Sequence, residues 1–385
     1  MLKRLKNLLP IVLLSLIPTF VLWLPFLLRL PSFWTIPLPR NGLASIVANY
    51  DGPLYIVVAK TFYNVQAIKD TFSFPLPVEY YAAHFPLYPL LIRLVATVTN
   101  YPYAMLGITL LSSVFALYFF SLLISKYTDG KNVIWMTAVF ALLPARWLTV
   151  RSIGSPEPLF MAATIASIYF FTTKKYLWAG IAGALAMLTK SPGILLFAAY
   201  AGYLIIPELK NLGVKSFAKW AKGLNWRAWP VVFIPLSLLG LFVIYKFTFN
   251  DLLAYFHSGD NIHLFFPPFQ IFNYSAPWVG TFWLEEVIYI YLFAALGLIK
   301  LIKEKYEVLA WYVGVFLFSI VFVSHRDLAR YALPILPFIL VAFWQTLARK
   351  EFKFVLAFLL IPVFLASIAF ISQNVMPISD WTPLL

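Results

Sequence analysis

Five short polar islands interrupt an otherwise apolar sequence: Asn49-Tyr50-Asp51-Gly52-Pro53-Leu54-Tyr55, His84-Phe85-Pro86-Leu87-Tyr88-Pro89, Arg151 with Ser155-Pro156-Glu157-Pro158, Thr189-Lys190-Ser191-Pro192-Gly193, and Ser324-His325-Arg326-Asp327-Leu328-Ala329-Arg330-Tyr331. Asp51 is a candidate general base, because Gly52-Pro53 makes a tight bend that can hold the carboxylate clear of its own backbone. The same spacing suits an Asp that serves a turn or caps a helix starting at Pro53. Arg326 and Arg330 stand four apart, on one face if their segment is helical. Two guanidiniums there suit a phosphate, each offering paired donors. His325 can add a third donor and Lys190 a further cation. The alternative for these cations is that they snorkel, or pair with Asp327. Glu157 is either a second site carboxylate or part of a helix start, with Ser155 as cap and Pro156 at the first position. His84 is either a substrate contact or an ordinary interfacial histidine.

The elements that must position these residues follow from composition. The 385 residues are 62% hydrophobic and 11% charged, with 37 Phe, 22 Tyr and 13 Trp, whereas a soluble domain is about 25% charged. A soluble, disordered or fibrous chain is excluded. Continuous apolar runs, in place of short alternating segments, point to an all-α polytopic membrane protein and not a barrel. There is no cysteine, hence no disulfide, thiolate metal site or cysteine nucleophile. The net charge of +14 sits in short clusters between apolar runs, which fits anionic lipid headgroups and not nucleic acid.

Apolar runs at about 9–30, 104–125, 132–150, 157–173, 177–189, 192–206, 230–249, 286–302, 308–324, 331–347 and 353–372 predict eleven spans. A further run at 85–98 carries Arg93 and makes a helix of only about 21 Å, against a hydrocarbon core of about 30 Å, so it is expected to lie along the interface. With that segment left out, most of the 29 Lys and Arg fall on one side, against only Asp129, Glu208, Glu304, Glu307 and Glu351 among the carboxylates. That side is read as cytoplasmic. The basic start Lys3, Arg4, Lys6 resembles that of a signal sequence, but the apolar run behind it is long and no small-residue cleavage site follows. It is expected to be a first span with a cytoplasmic N-terminus. One membrane domain, residues 1–385, then carries outer loops at about 31–103 and 250–285 and a basic cytoplasmic loop at about 207–229. In that basic loop Lys215, Lys219 and Lys222 have the spacing of an amphipathic helix on anionic lipid.

In the second outer loop His257, Asp260 and His263 have spacings that a metal could use, but the local sequence is not that of a regular helix, and no metal is assigned. A divalent ion stays possible without support from the sequence. The aromatic stretch 265–283 can stack on a sugar, line a lipid path, or form an interfacial belt. There is no Gly-rich phosphate loop, no His-Glu-x-x-His and no Gly-x-Ser-x-Gly, so a nucleotide sugar at the cytoplasmic face is not expected.

Tyr50-Asp51-Gly52 followed by Tyr55-Ile56 and Ala59, with Phe85-Pro86-Leu87-Tyr88-Pro89-Leu90 some thirty residues on, resembles the GPI mannosyltransferase II family and its prokaryotic relatives. That family carries Trp-Asp-Gly in the first outer loop, where this chain has Tyr50, and Phe-Pro-Leu-Tyr-Pro after it. Ser155-Pro156-Glu157-Pro158, Leu188-Thr189-Lys190-Ser191-Pro192-Gly193 and Arg330-Tyr331-Ala332-Leu333-Pro334 are also similar to its segments. More broadly the layout resembles the GT-C superfamily of membrane glycosyltransferases. The resemblance implies transfer of a sugar, mannose first, from a polyprenyl-phosphate donor to a lipid, glycan or protein acceptor at the extracytoplasmic face. The membrane would be the cell membrane of a prokaryote or the endoplasmic reticulum of a eukaryote.

On this reading Asp51 deprotonates the acceptor hydroxyl in one inverting displacement. Arg326, Arg330, His325 and Lys190 hold the donor phosphate, and Tyr50, Tyr55, His84, Tyr88 and Glu157 contact substrate. The competing expectation is a transporter or flippase of a lipid-linked saccharide. Such a protein places ionisable residues near the midplane and often shows inverted repeats, whereas here the runs are nearly free of charge.

Overall fold

The computed structural model describes residues 2–212, 223, 225–278 and 284–385. The basic segment with Lys215, Lys219 and Lys222 lies outside the described residues, as does 279–283 at the end of the aromatic stretch. Among the described residues the only sheet is the antiparallel pair Ser32–Phe33 with Ile36–Pro37. Everything else that is regular is helical.

Each of the eleven predicted runs carries a helix, but the helices differ in length. Among the described residues, Leu8–Leu27, Tyr101–Ile124, Trp226–Thr248 and Lys350–Gln373 are apolar and long enough to cross a membrane. Six more are apolar but shorter, Glu157–Thr172 and Tyr176–Thr189 among them. At 1.5 Å per residue a helix of 14 to 16 residues covers only about 21–24 Å, less than the hydrocarbon thickness. The run at 132–150 is divided at Leu143-Pro144 into Gly130–Leu142 and Ala145–Val150, since proline removes a backbone donor.

Local signals set several helix starts. Asn100 accepts from the Tyr103 N–H at 2.9 Å with Pro102 in the first turn, and Asn64 caps Val65–Thr71 through the Ala67 N–H. Helix Glu157–Thr172 is buried along most of its length between Tyr101–Ile124 and Tyr176–Thr189. Small residues permit this closeness: a Cβ on Gly183 would stand 3.2 Å from the Ser167 hydroxyl oxygen.

Within the first loop the interfacial segment is a nine-residue helix, Leu87–Val95, that buries Tyr88, Pro89 and Ile92 and exposes Leu90, Arg93 and Leu94. It packs on helix Gly52–Thr61 and on Tyr101–Ile124. Gly52–Thr61 is itself buried from Gly52 to Ala59. The chain entering it is tied to the end of the last long helix: Met376 N–H donates to the Ala48 carbonyl at 2.7 Å, Tyr50 N–H to that of Asn374 at 3.1 Å, and the Asn49 amide to that of Ile371 at 2.7 Å. The second loop is pinned differently, by backbone bonds of Phe265 to Phe322, Phe269 to Val321 and Ser324 to His263.

Candidate functional site

Asp51 immediately precedes helix Gly52–Thr61, yet its carboxylate makes no capping hydrogen bond; only its backbone carbonyl serves the turn, accepting from Leu54 and Tyr55. The carboxylate lies 3.9 Å from the Arg330 guanidinium, and its side chain keeps 38% of its surface. It borders a cavity of about 130 Å³, shared with Tyr55, His84, Glu157, Lys190, Tyr255, Asn261, Arg330 and Tyr331. The backbone bend that the sequence suggested is real and tight: a Cβ on Gly52 would meet the Val47 carbonyl oxygen at 2.4 Å.

Glu157 borders the same cavity and begins its helix, although the cap residue is Pro156 and not the expected Ser155. It opens helix Glu157–Thr172 and receives the Ser155 hydroxyl. Its other oxygen accepts from the Lys190 ammonium at 2.6 Å and from Arg330 Nε at 2.7 Å. One buried carboxylate thus holds two cations drawn from separate parts of the chain. Burial pushes the Lys190 ammonium below its usual range, and Glu157 pulls the other way.

Beside this cluster lies a second one. Arg146 pairs with Asp327 at 3.0 Å, donates to the Tyr50 hydroxyl at 2.7 Å and lies over the Phe370 ring. Tyr50 in turn donates to Asp327 at 3.5 Å, stacks on Phe370, and has the Arg330 guanidinium 4.7 Å from its ring centre. Burial raises the Asp327 carboxyl above its usual range, opposed by Arg146. This cluster borders a cavity of about 670 Å³ lined by Tyr50, Arg146, Glu286, His325, Arg326, Asp327 and Arg330 among others. Arg330 lines both cavities.

The expected shared face of Arg326 and Arg330 is absent, because the helix starts only at Leu328. The His325 Nδ1 accepts the Asp327 N–H at 2.9 Å and turns the chain there. That bond leaves His325 with Nε2 alone as a donor, and burial, aided by His263, lowers its basicity. His84 is 3% exposed, packed edge-on against Tyr55, and held below its ordinary basicity by burial while Asp51 pulls the other way. Tyr55 reaches the cavity, but Tyr88 stands behind it with its hydroxyl 2.7 Å from Thr109. In the second loop His257 pairs with Asp251 at 2.5 Å, while His263 packs on His325. Among the described residues no group of three His, Asp or Glu is set to hold a metal.

Arg146, Glu286, Tyr255 and Asn261 were not predicted as site residues. Arg146 carried one local signal, its place just after Pro144 at the end of an apolar run. Nothing nearby marked Asp327 as its partner.

No protein-family model and no characterised protein sequence matches the chain. Its fold is similar to that of the oligosaccharyltransferase of Archaeoglobus fulgidus in the apo form, with a TM-score of 0.51 at 12% identity over 95% of this chain. A second structure of that enzyme, tethered through a disulfide to an acceptor peptide containing the NVT sequon, aligns with a TM-score of 0.48 at 12% identity over 96% of this chain. This chain spans 57% and 56% of the length of those two chains. The likeness is one of fold.

Proposed function

We propose that the protein is a membrane glycosyltransferase that moves a sugar from a polyprenyl-phosphate donor to an acceptor hydroxyl in a single inverting displacement. The observation that carries this reading is the approach of Asp51 to Arg330 at 3.9 Å beside a cavity. Asp51 takes the acceptor proton as the acceptor oxygen attacks the anomeric carbon. The bond from that carbon to the phosphate oxygen breaks, and its electron pair leaves with the polyprenyl phosphate. Arg330 stabilises the charge that develops there, and Glu157 holds Arg330 in place.

The fold supports the class of enzyme. The charge asymmetry of the sequence supports a site on the extracytoplasmic side. The resemblance of residues 50–90 makes mannose the first sugar to try. The acceptor is a hydroxyl on a lipid, glycan or protein.

The test is to incubate the purified protein with a panel of polyprenyl-phosphate sugars and measure released polyprenyl phosphate. Asp51→Asn is expected to lower turnover by about 10²–10⁴-fold while the protein stays folded in detergent. Near-normal turnover in that variant would remove Asp51 as the base.

A further inference from the structure

Adjacent residues face different cavities here: Asp51 borders the smaller one and Tyr50 the larger, with Arg330 common to both. The smaller cavity holds two carboxylates, Asp51 and Glu157, and Glu157 engages both of its cations, Lys190 and Arg330. A phosphate placed there meets two negative charges and no uncommitted cation; the larger cavity also holds two carboxylates, Asp327 and Glu286, but adds a guanidinium unpaired among the described residues. In the larger cavity Arg146 is occupied by Asp327 and Tyr50. Arg326, by contrast, is exposed and makes no ion pair among the described residues. It is a guanidinium with its paired donors open to a ligand.

Reaction geometry points the same way. In an inverting displacement the attacking oxygen and the leaving phosphate stand on opposite sides of the anomeric carbon, so the base and the phosphate need separate places with the sugar between them. Arg330 stands 3.9 Å from Asp51 and also lines the larger cavity.

We propose that the larger cavity is the phosphate subsite. The phosphate of the lipid-linked donor lies between Arg326 and Arg330, and the sugar extends past Arg330 so that the acceptor hydroxyl meets it beside Asp51. Lys190, held by Glu157, positions Arg330 through that carboxylate and does not touch the phosphate. This assignment rests on the transferase reading but is tested apart from it.

The experiment measures binding of polyprenyl phosphate, without sugar, to the full-length protein in detergent, with the matching polyprenol as the phosphate-free probe. Arg326→Gln is expected to weaken polyprenyl phosphate at least about tenfold, the loss of a charge-assisted contact, and to leave polyprenol unchanged. Arg326→Lys should recover part of the loss. Lys190→Gln, checked for folding by thermal unfolding, should change phosphate binding much less than Arg326→Gln does. The assignment is overturned if Lys190→Gln has the larger effect, if Arg326→Gln binds polyprenyl phosphate normally, or if it weakens polyprenol equally. Wild-type protein that binds polyprenyl phosphate through Arg326 yet transfers no sugar sinks the transferase reading and leaves the subsite standing. Transfer at full rate by Arg326→Gln does the reverse.

Discussion

In the first loop, Leu54, Ile56, Val57 and Val58, just beyond Asp51, are at most 1% exposed, whereas Phe266 and Tyr274 in the second loop are 87% and 91% exposed. The two loops also differ in what holds them. Around Asp51 the first is buried against two helices, tied by backbone bonds to Asn374 and Met376 after the last long helix, and forced through a bend that only glycine fits. The second is attached mainly by backbone bonds to residues 321–324 and reaches the smaller cavity through Tyr255 and Asn261. A general base must be held within a fraction of an ångström of its task, and the loop that carries Asp51 is built to that standard. A loop that only borders a cavity need not be.

If that contrast is correct, substitutions should fall on a gradient from the packing around Asp51 outward. Glu157→Ala comes first. It strips Lys190 and Arg330 of their common carboxylate and is expected to cost about 3–5 kcal/mol of stability, read as a large loss of thermal midpoint in detergent. Gly52→Ala comes next. Its methyl would press on the Val47 and Gly154 carbonyls, at an expected cost of about 1–3 kcal/mol and a loss of turnover larger than the stability loss explains. A result close to wild type in both measurements would mean that the bend is not constrained.

Acidification probes His84, which is buried and whose folded basicity lies below that of the unfolded chain. The unfolded state therefore binds more protons below the ordinary histidine range. Stability should fall as pH drops through about 6.5, by up to about 1.4 kcal/mol per unit. His84→Gln should flatten that slope in thermal unfolding followed against pH. Tyr88→Phe removes the hydroxyl bond to Thr109 and should cost about 1 kcal/mol, with Tyr55 still in place. Smallest of all, Phe266→Ser or Tyr274→Ser should change stability by less than about 0.5 kcal/mol. A large effect at either of these would show the second loop to be as constrained as the first.

Part of the candidate site was legible in the sequence, through residue type and through the family resemblance. Asp51, Glu157, Lys190 and Arg330 were chosen because charge at the ends of apolar runs needs a reason, and the fold brings all four to one cavity. Local spacing misled where it assumed a helix. Arg326 was placed on a face with Arg330, but the His325 side chain bonds the Asp327 N–H and the helix begins later. Tyr88 belongs to the motif that suggested substrate contact, yet its hydroxyl faces Thr109 in a neighbouring helix, a partner that no local pattern names. Two predicted runs, 132–150 and 331–347, are broken into shorter helices for a related reason. Hydropathy records that a run is apolar, whereas prolines and packing against neighbours decide how much of it is a single straight helix.

The amino-acid sequence by itself determined that this chain would be helical and membrane-embedded, because a backbone in hydrocarbon must satisfy its own hydrogen bonds and apolar runs of this kind leave little else. It also determined that the few charges would gather at the ends of those runs. Only the tertiary structure decided which charges meet. Asp51 with Arg330, Glu157 with both Lys190 and Arg330, and Arg146 with Asp327 are pairs between remote segments. Ion pairing falls off over a few ångströms, and those distances are set by how the helices pack, which no single segment encodes.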